Sequence, residues 1–209
     1  MERMELVFLI VVLIFSVVLH EVSHGVVAYS LGDPTAKDAG RLTLNPIPHL
    51  DPIGSIFLPG FLVLMSMIGG GPGIIIGWAK PVPINPLFFR NPKYDSVKVS
   101  LAGPAANIAI ALVFGLALRF LPIVSFSPDL VLIFSSIVFL NLLLAVFNLL
   151  PIPPLDGSHL LFSFLPDSFS GLRSVLSQYG FFLLLFLLLF FFRAFLAFVD
   201  VLFRLLVGN

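Results

Sequence analysis

The chain contains no cysteine. That excludes a disulfide framework and every zinc site built on thiolates, so a metal bound here would need imidazole and carboxylate ligands. Charge is scarce as well. Only 11% of the 209 residues are charged, against roughly a quarter in an ordinary soluble domain. The formal net charge is zero, so nothing calls for a nucleic acid or another polyanion as partner. What fills the chain is apolar: 59% of residues are hydrophobic and the mean hydropathy is +1.12. Long apolar stretches with few charges read as bilayer spans rather than as one globular core.

Four such stretches, about Leu6–Leu31, Val97–Leu121, Leu130–Leu150 and Tyr179–Val207, predict an all-α polytopic membrane protein in the lipid bilayer. Leu6–Leu19 has the look of a signal peptide but lacks a small-residue cleavage site, and its pattern runs on to Leu31, so it reads as a retained helix. Ile53–Ile68 is apolar but short, and the glycines from Gly69 to Gly73 follow it. This predicts a re-entrant or spanning segment over 53–77, tolerable at membrane depth only if packed in protein. Alternation over Arg41–Asn45 predicts a small extended element. The prolines at 151, 153 and 154 exclude regular helix there. Residues 1–209 read as a single transmembrane domain, with core motifs within 6–160, an anchor over about 179–207, and no internal repeat or appended soluble domain.

Basic residues in short loops set orientation. Lys37, Arg41, Lys80, Arg90, Lys93, Lys98 and Arg173 lie on one set of loops, and Arg3, Arg119 and Arg204 on the other. The richer set is expected on the cytosolic side, with the N-terminus outside.

His20-Glu21-Val22-Ser23-His24 forms the pattern H-E-x-x-H. On a helix, residues four apart share a face, so both imidazoles can reach one metal ion. Glu21 lies beside that face, where a carboxylate can take a proton from the attacking water. Polar residues within a span are expensive and usually mark function. A catalytic zinc typically takes three protein ligands, so two imidazoles leave it one short. Asp156 stands out as the third candidate, since it follows the broken backbone at Pro151–Pro154 and is flanked by apolar residues. Asn148, just upstream, can donate to a substrate carbonyl or a developing oxyanion.

Together with H-E-x-x-H, the run Asn148-Leu149-Leu150-Pro151-Ile152-Pro153-Pro154-Leu155-Asp156-Gly157 resembles the site-2 protease family pattern N-x-x-P-x-P-x-L-D-G. Gly103-Pro104-Ala105-Ala106-Asn107 resembles the G-P-x-x-N of the preceding helix in that family. The loop pieces Gly32-Asp33-Pro34-Thr35, Leu42-Thr43-Leu44-Asn45-Pro46 and Trp78-Ala79-Lys80-Pro81-Val82-Pro83 look like a compact prokaryotic branch without PDZ or CBS modules. The resemblance implies Zn2+ held by His20, His24 and Asp156, with Glu21 as general base. It implies a metalloendopeptidase that cleaves membrane-protein substrates in or near a transmembrane helix, in a prokaryotic plasma membrane.

A metal transporter or a non-catalytic membrane scaffold is the alternative. Transporters usually show repeats and ligands spread over several spans, and they have no need of Glu21 between two ligands. His49 is read as either structural or paired with Asp51 near an entry path. His159 is expected to bond nearby backbone rather than metal. Fourteen mostly apolar residues from Leu6 to His20 cover about 21 Å of helix. In a hydrocarbon core about 30 Å thick the site then lies roughly 10 Å from the cytosolic boundary. A water path lined by Asp33, Thr43, Asn45, His49 and Asp51 is expected to reach it.

Overall fold

Four helices long and apolar enough to cross a membrane organise the computed structural model, which describes residues 2–58, 60–62, 64, 77–121 and 127–208. They are α1 (Glu2–Ser30), α2 (Pro92–Phe120), α3 (Pro128–Asn148) and, after a short α4 (Asp156–Phe164), the long α5 (Ser170–Val207). In lipid every backbone N–H and C=O must find a partner within the protein, which favours helices for sequences this apolar. The protein is a multi-pass membrane protein, all-α among the described residues.

Local sequence explains the ends. Proline occupies the first turn of both α2 and α3, where a missing N–H costs nothing, and the Ser127 side chain accepts from the Leu130 amide. α3 stops before Pro151, and α5 ends on Gly208 with φ at 91°. Two helices start earlier than hydropathy predicts, α2 at Pro92 and α5 at Ser170. Hydropathy detects apolar surface, whereas the turns Lys93–Ser96 and Arg173–Gln178 are helical but carry polar side chains. Arg193 and Asp200 do not interrupt α5, and Asp200 accepts from Arg204 one turn on, at 2.8 Å.

α2 is the central helix, packed against α1, α3, α4 and α5. Ala111, Leu118, Val138, Leu142 and Val199 form the core between α2, α3 and α5. Ile152, Leu155 and Leu184 pin the proline-rich turn against α5. That turn delivers Asp156 at the start of α4.

The expected strand over Arg41–Asn45 does not form. These residues make bends, and the described extended pairing is one antiparallel bridge, Leu50 with Ala79. The reason is that their hydrogen bonds go elsewhere: the Thr43 carbonyl accepts from His49, and the Arg41 guanidinium donates to the Lys80 carbonyl at 2.7 Å. The reading of 53–77 as re-entrant or spanning falls largely on residues outside those described. Its two ends are described and are joined, with the Trp78 amide donating to the Gly54 carbonyl at 3.1 Å and the Ser55 hydroxyl to the Trp78 carbonyl at 2.7 Å. Asp33, fully buried after α1, accepts from Thr35 and from the Asn85 amide at 2.7 Å, tying this loop to the segment before α2. Burial opposes its charge, but these hydrogen bonds prevail and hold its carboxyl below the usual carboxylate range.

Candidate metal centre and active site

Three inward stripes converge at mid-bundle. Ser16, His20 and His24 recur every four residues on α1 and are all buried. Ser100, Gly103 and Asn107 lie on one face of α2, and Asn141 on α3. Against them the turn before α4 brings Asp156. His20 Nε2 stands 3.1 Å and His24 Nε2 3.2 Å from Asp156 Oδ2, and the two Nε2 atoms are 3.1 Å apart. Ligand atoms of tetrahedral zinc with bonds of about 2.0–2.1 Å stand roughly 3.3–3.4 Å apart, so the spacing fits.

The other ring nitrogens sharpen that fit. His20 Nδ1 lies 2.6 Å from Asn107 Oδ1, and His24 Nδ1 lies 2.6 Å from the Val99 carbonyl oxygen. Both partners are acceptors, so each Nδ1 carries a proton, and in its neutral form each ring turns the lone pair of Nε2 toward Asp156. Two lone pairs and a carboxylate oxygen about 3 Å apart repel one another. A single shared proton relieves one pair; a divalent cation relieves all three.

Glycine makes the approach of α2 possible. A Cβ at Gly103 would fall between His20 Nε2 and His24 Nε2, too close to either for real atoms. Pro104 has no N–H for the Ser100 carbonyl, which loosens the helix wall at the turn where Val99 accepts from His24. At Gly157 a Cβ would strike the Leu149 carbonyl oxygen, so only glycine lets Asp156 follow the broken turn so tightly.

A cavity of about 430 Å³ opens on this cluster, lined by His20, Glu21, His24, Asn148, Asp156 and Val82 among others. Glu21 Oε2 accepts from the Val82 amide at 2.8 Å. Asn148 lines the wall and donates one N–H to the Leu144 carbonyl at 2.9 Å. The five residues singled out in the sequence are therefore brought together across α1, α3 and α4. His159 also lines the cavity, one turn past Asp156.

Of the two readings of His49, the pair with Asp51 is not formed. His49 is buried and bonds the Thr43 carbonyl at 3.0 Å, while Asp51 accepts from the Ile53 and Gly54 amides as a helix cap. Nor do Asp33, Thr43, Asn45, His49 and Asp51 line the cavity. Its outer wall comes from Pro81, Val82, Ile84, Pro86 and Phe89, with Ser96 and Ser100 on α2. The loop polar groups are spent within the loops, on their own turns and, for Asp33, on the Asn85 amide as well. Sequence reading missed the roles of Val82, Gly103, Asn141 and Ser16. The last two had a usable signal, since polar side chains in apolar spans seldom occur without a function.

A bundle of membrane-spanning helices with two histidines and a carboxylate converging beside a cavity defines a class, the polytopic membrane proteins built around a metal-binding cluster. Comparison with known proteins narrows it. The model of Peptidase family M50 matches residues 124–191. "Putative zinc metalloprotease YwhC" of Bacillus subtilis (strain 168) is 41% identical over 189 residues, covering 88% of this chain and 80% of that protein. "Putative zinc metalloprotease Rip2" of Mycolicibacterium smegmatis is 34% identical over 189 residues, covering 88% of this chain and 68% of that one. No solved structure matches. The chain belongs to the site-2 protease family of metalloproteases, Peptidase family M50.

Proposed function

We propose that this protein is an intramembrane zinc endopeptidase that cuts membrane-protein substrates in or next to a transmembrane helix. His20, His24 and Asp156 hold the zinc, Glu21 is the general base and Asn148 binds the carbonyl under attack. The observation that carries this reading is the meeting of two imidazole nitrogens and a carboxylate within 4.8 Å of one another at a cavity between apolar spans.

When bound, zinc supplies the Lewis acidity that makes water nucleophilic near neutral pH. The residues of the chain do the rest. The Val82 amide holds one carboxylate oxygen of Glu21, fixing the side chain at the cavity while other lone pairs take the proton of the attacking water. Asn148 keeps one amide N–H beyond its bond to Leu144, which is a donor for the oxygen that gains charge. Asp156 faces both histidines from the opposite wall and supplies the third ligand atom. A helical substrate hides its carbonyls in hydrogen bonds, so a locally unwound segment must enter the cavity. The loop basic residues favour a cytosolic-side site, and the resemblance to a compact prokaryotic branch favours a prokaryotic plasma membrane.

The test is the Glu21→Gln variant of the full chain, reconstituted in vesicles with a panel of single-span peptides carrying helix-weakening centres. Wild-type protein is expected to cut some of them, as read by mass spectrometry, and Glu21→Gln to keep one zinc per chain but cut none. Equal cleavage by the variant, or wild-type protein without zinc, overturns the reading.

A further inference from the structure

We propose that Asn107, oriented by Asn141 and Ser16, is a positioning residue that selects the metal-binding tautomer of His20. The inference deepens the zinc reading above and rests on it. It starts from two groups that can only accept a hydrogen bond, the backbone carbonyls of Ile137 and Ser16.

Asn141 Nδ2 lies 2.8 Å from the Ile137 carbonyl oxygen and 2.9 Å from Ser16 Oγ. An amide oxygen facing a carbonyl oxygen at that distance is repulsive, so the NH2 of Asn141 must point there. Its Oδ1 then faces Asn107, whose Nδ2 is 2.9 Å away. The second N–H of Asn107 reaches the Ser16 carbonyl at 3.3 Å. Both donors of Asn107 are thus committed, and its Oδ1 is left facing His20 Nδ1 at 2.6 Å. Nδ1 must therefore carry a proton, and in the neutral ring Nε2 presents a lone pair to Asp156 and the metal position. Asn107 and Asn141 are completely buried, and His20 and Ser16 nearly so, so no water competes for these bonds.

The network joins α1, α2 and α3 through the side chains of Asn107, Asn141 and Ser16 and the Ser16 carbonyl. Interhelical polar bonds of this kind average only about 0.6 kcal/mol in membrane proteins. A contribution to bundle stability so small does not account for two buried asparagines at one ligand. Fixing the ring nitrogen does, because a histidine with Nε2 protonated offers the metal no lone pair. His24 achieves the same end more simply, through the Val99 carbonyl.

The experiment uses the full chain in detergent micelles, with ¹⁵N-histidine labelling of the zinc-free protein and zinc affinity by chelator competition. In wild-type protein the His20 resonances, assigned by their loss in His20→Gln, are expected to show the Nδ1–H tautomer. Asn107→Leu is expected to weaken zinc binding by about 10–100-fold, as supporting partners of metal-bound histidines do. Asn107→Thr puts a hydroxyl there that accepts from Nδ1–H while donating to Asn141 Oδ1, and is expected to recover part of that loss. A His20 tautomer protonated at Nε2 in wild-type protein overturns the proposal whether or not Asn107→Leu folds. So does equal weakening by Leu and Thr, which marks a packing role alone. A chain that binds no zinc but shows the Nδ1–H tautomer defeats the zinc reading and leaves the amide relay standing, so the two failures are distinct.

Discussion

Replacing Gly103 by alanine sets two well-understood effects against each other. In a helix interior, glycine to alanine is normally favourable by about 1 kcal/mol, because alanine loses less backbone entropy. At Gly103 the added methyl would lie 2.5 Å from His20 Nε2 and 2.6 Å from His20 Cε1, with His24 Nε2 as near, whereas ordinary contact begins at 3.4 Å. Relief needs a shift of about 0.9 Å, several times the roughly 0.2 Å tolerance of a metal–ligand distance. His20 cannot swing away freely, since Asn107 holds its Nδ1, and His24 is held by Val99. Gly103→Ala is therefore expected to leave the helices as stable as before but to weaken zinc binding by at least about 100-fold, close to 2.8 kcal/mol. Zinc content of the purified variant and chelator competition measure the affinity. Circular dichroism melting of the zinc-free protein monitors the fold. One tightly held zinc per chain in Gly103→Ala would refute the argument that α2 seats both imidazoles by touching them.

Val82→Pro removes the N–H that holds Glu21, at a position already flanked by Pro81 and Pro83. Zinc content is expected to stay at the wild-type level while kcat on a cleavable single-span peptide falls about tenfold or more; an unchanged kcat would remove Val82 from the mechanism. For topology, Lys37→Cys and Lys93→Cys exploit the cysteine-free chain as a clean background. The joined flanks of 53–77 lead us to expect both positions to react with a membrane-impermeant thiol reagent from the same face. Labelling from opposite faces would show that the intervening segment crosses the membrane.

Local pattern alone determined a good deal here. Composition announced the bilayer, and four apolar stretches corresponded to four spanning helices, because hydrophobic length is what a membrane selects. The spacing of His20 and His24 placed two ligands on one face, since helix geometry is set by adjacent residues. Helix ends were less legible where polar turns extend α2 and α5, because such turns carry no hydropathy signal. The histidine at 49 was readable only as two alternatives, and the fold chose the structural one by turning its ring onto Thr43. What tertiary structure decided is everything that depends on distant partners. Asp156 reaches His20 across 136 positions, Asn107 across 87, and Asn141 reaches Ser16 across 125. No periodicity within one helix says which polar face meets which, and the answer awaits the packing of α1, α3 and α4 around α2. Gly103 illustrates the division most plainly. In the sequence it is a small residue in a span, and only the packed bundle shows that the absent methyl is the room two imidazoles occupy.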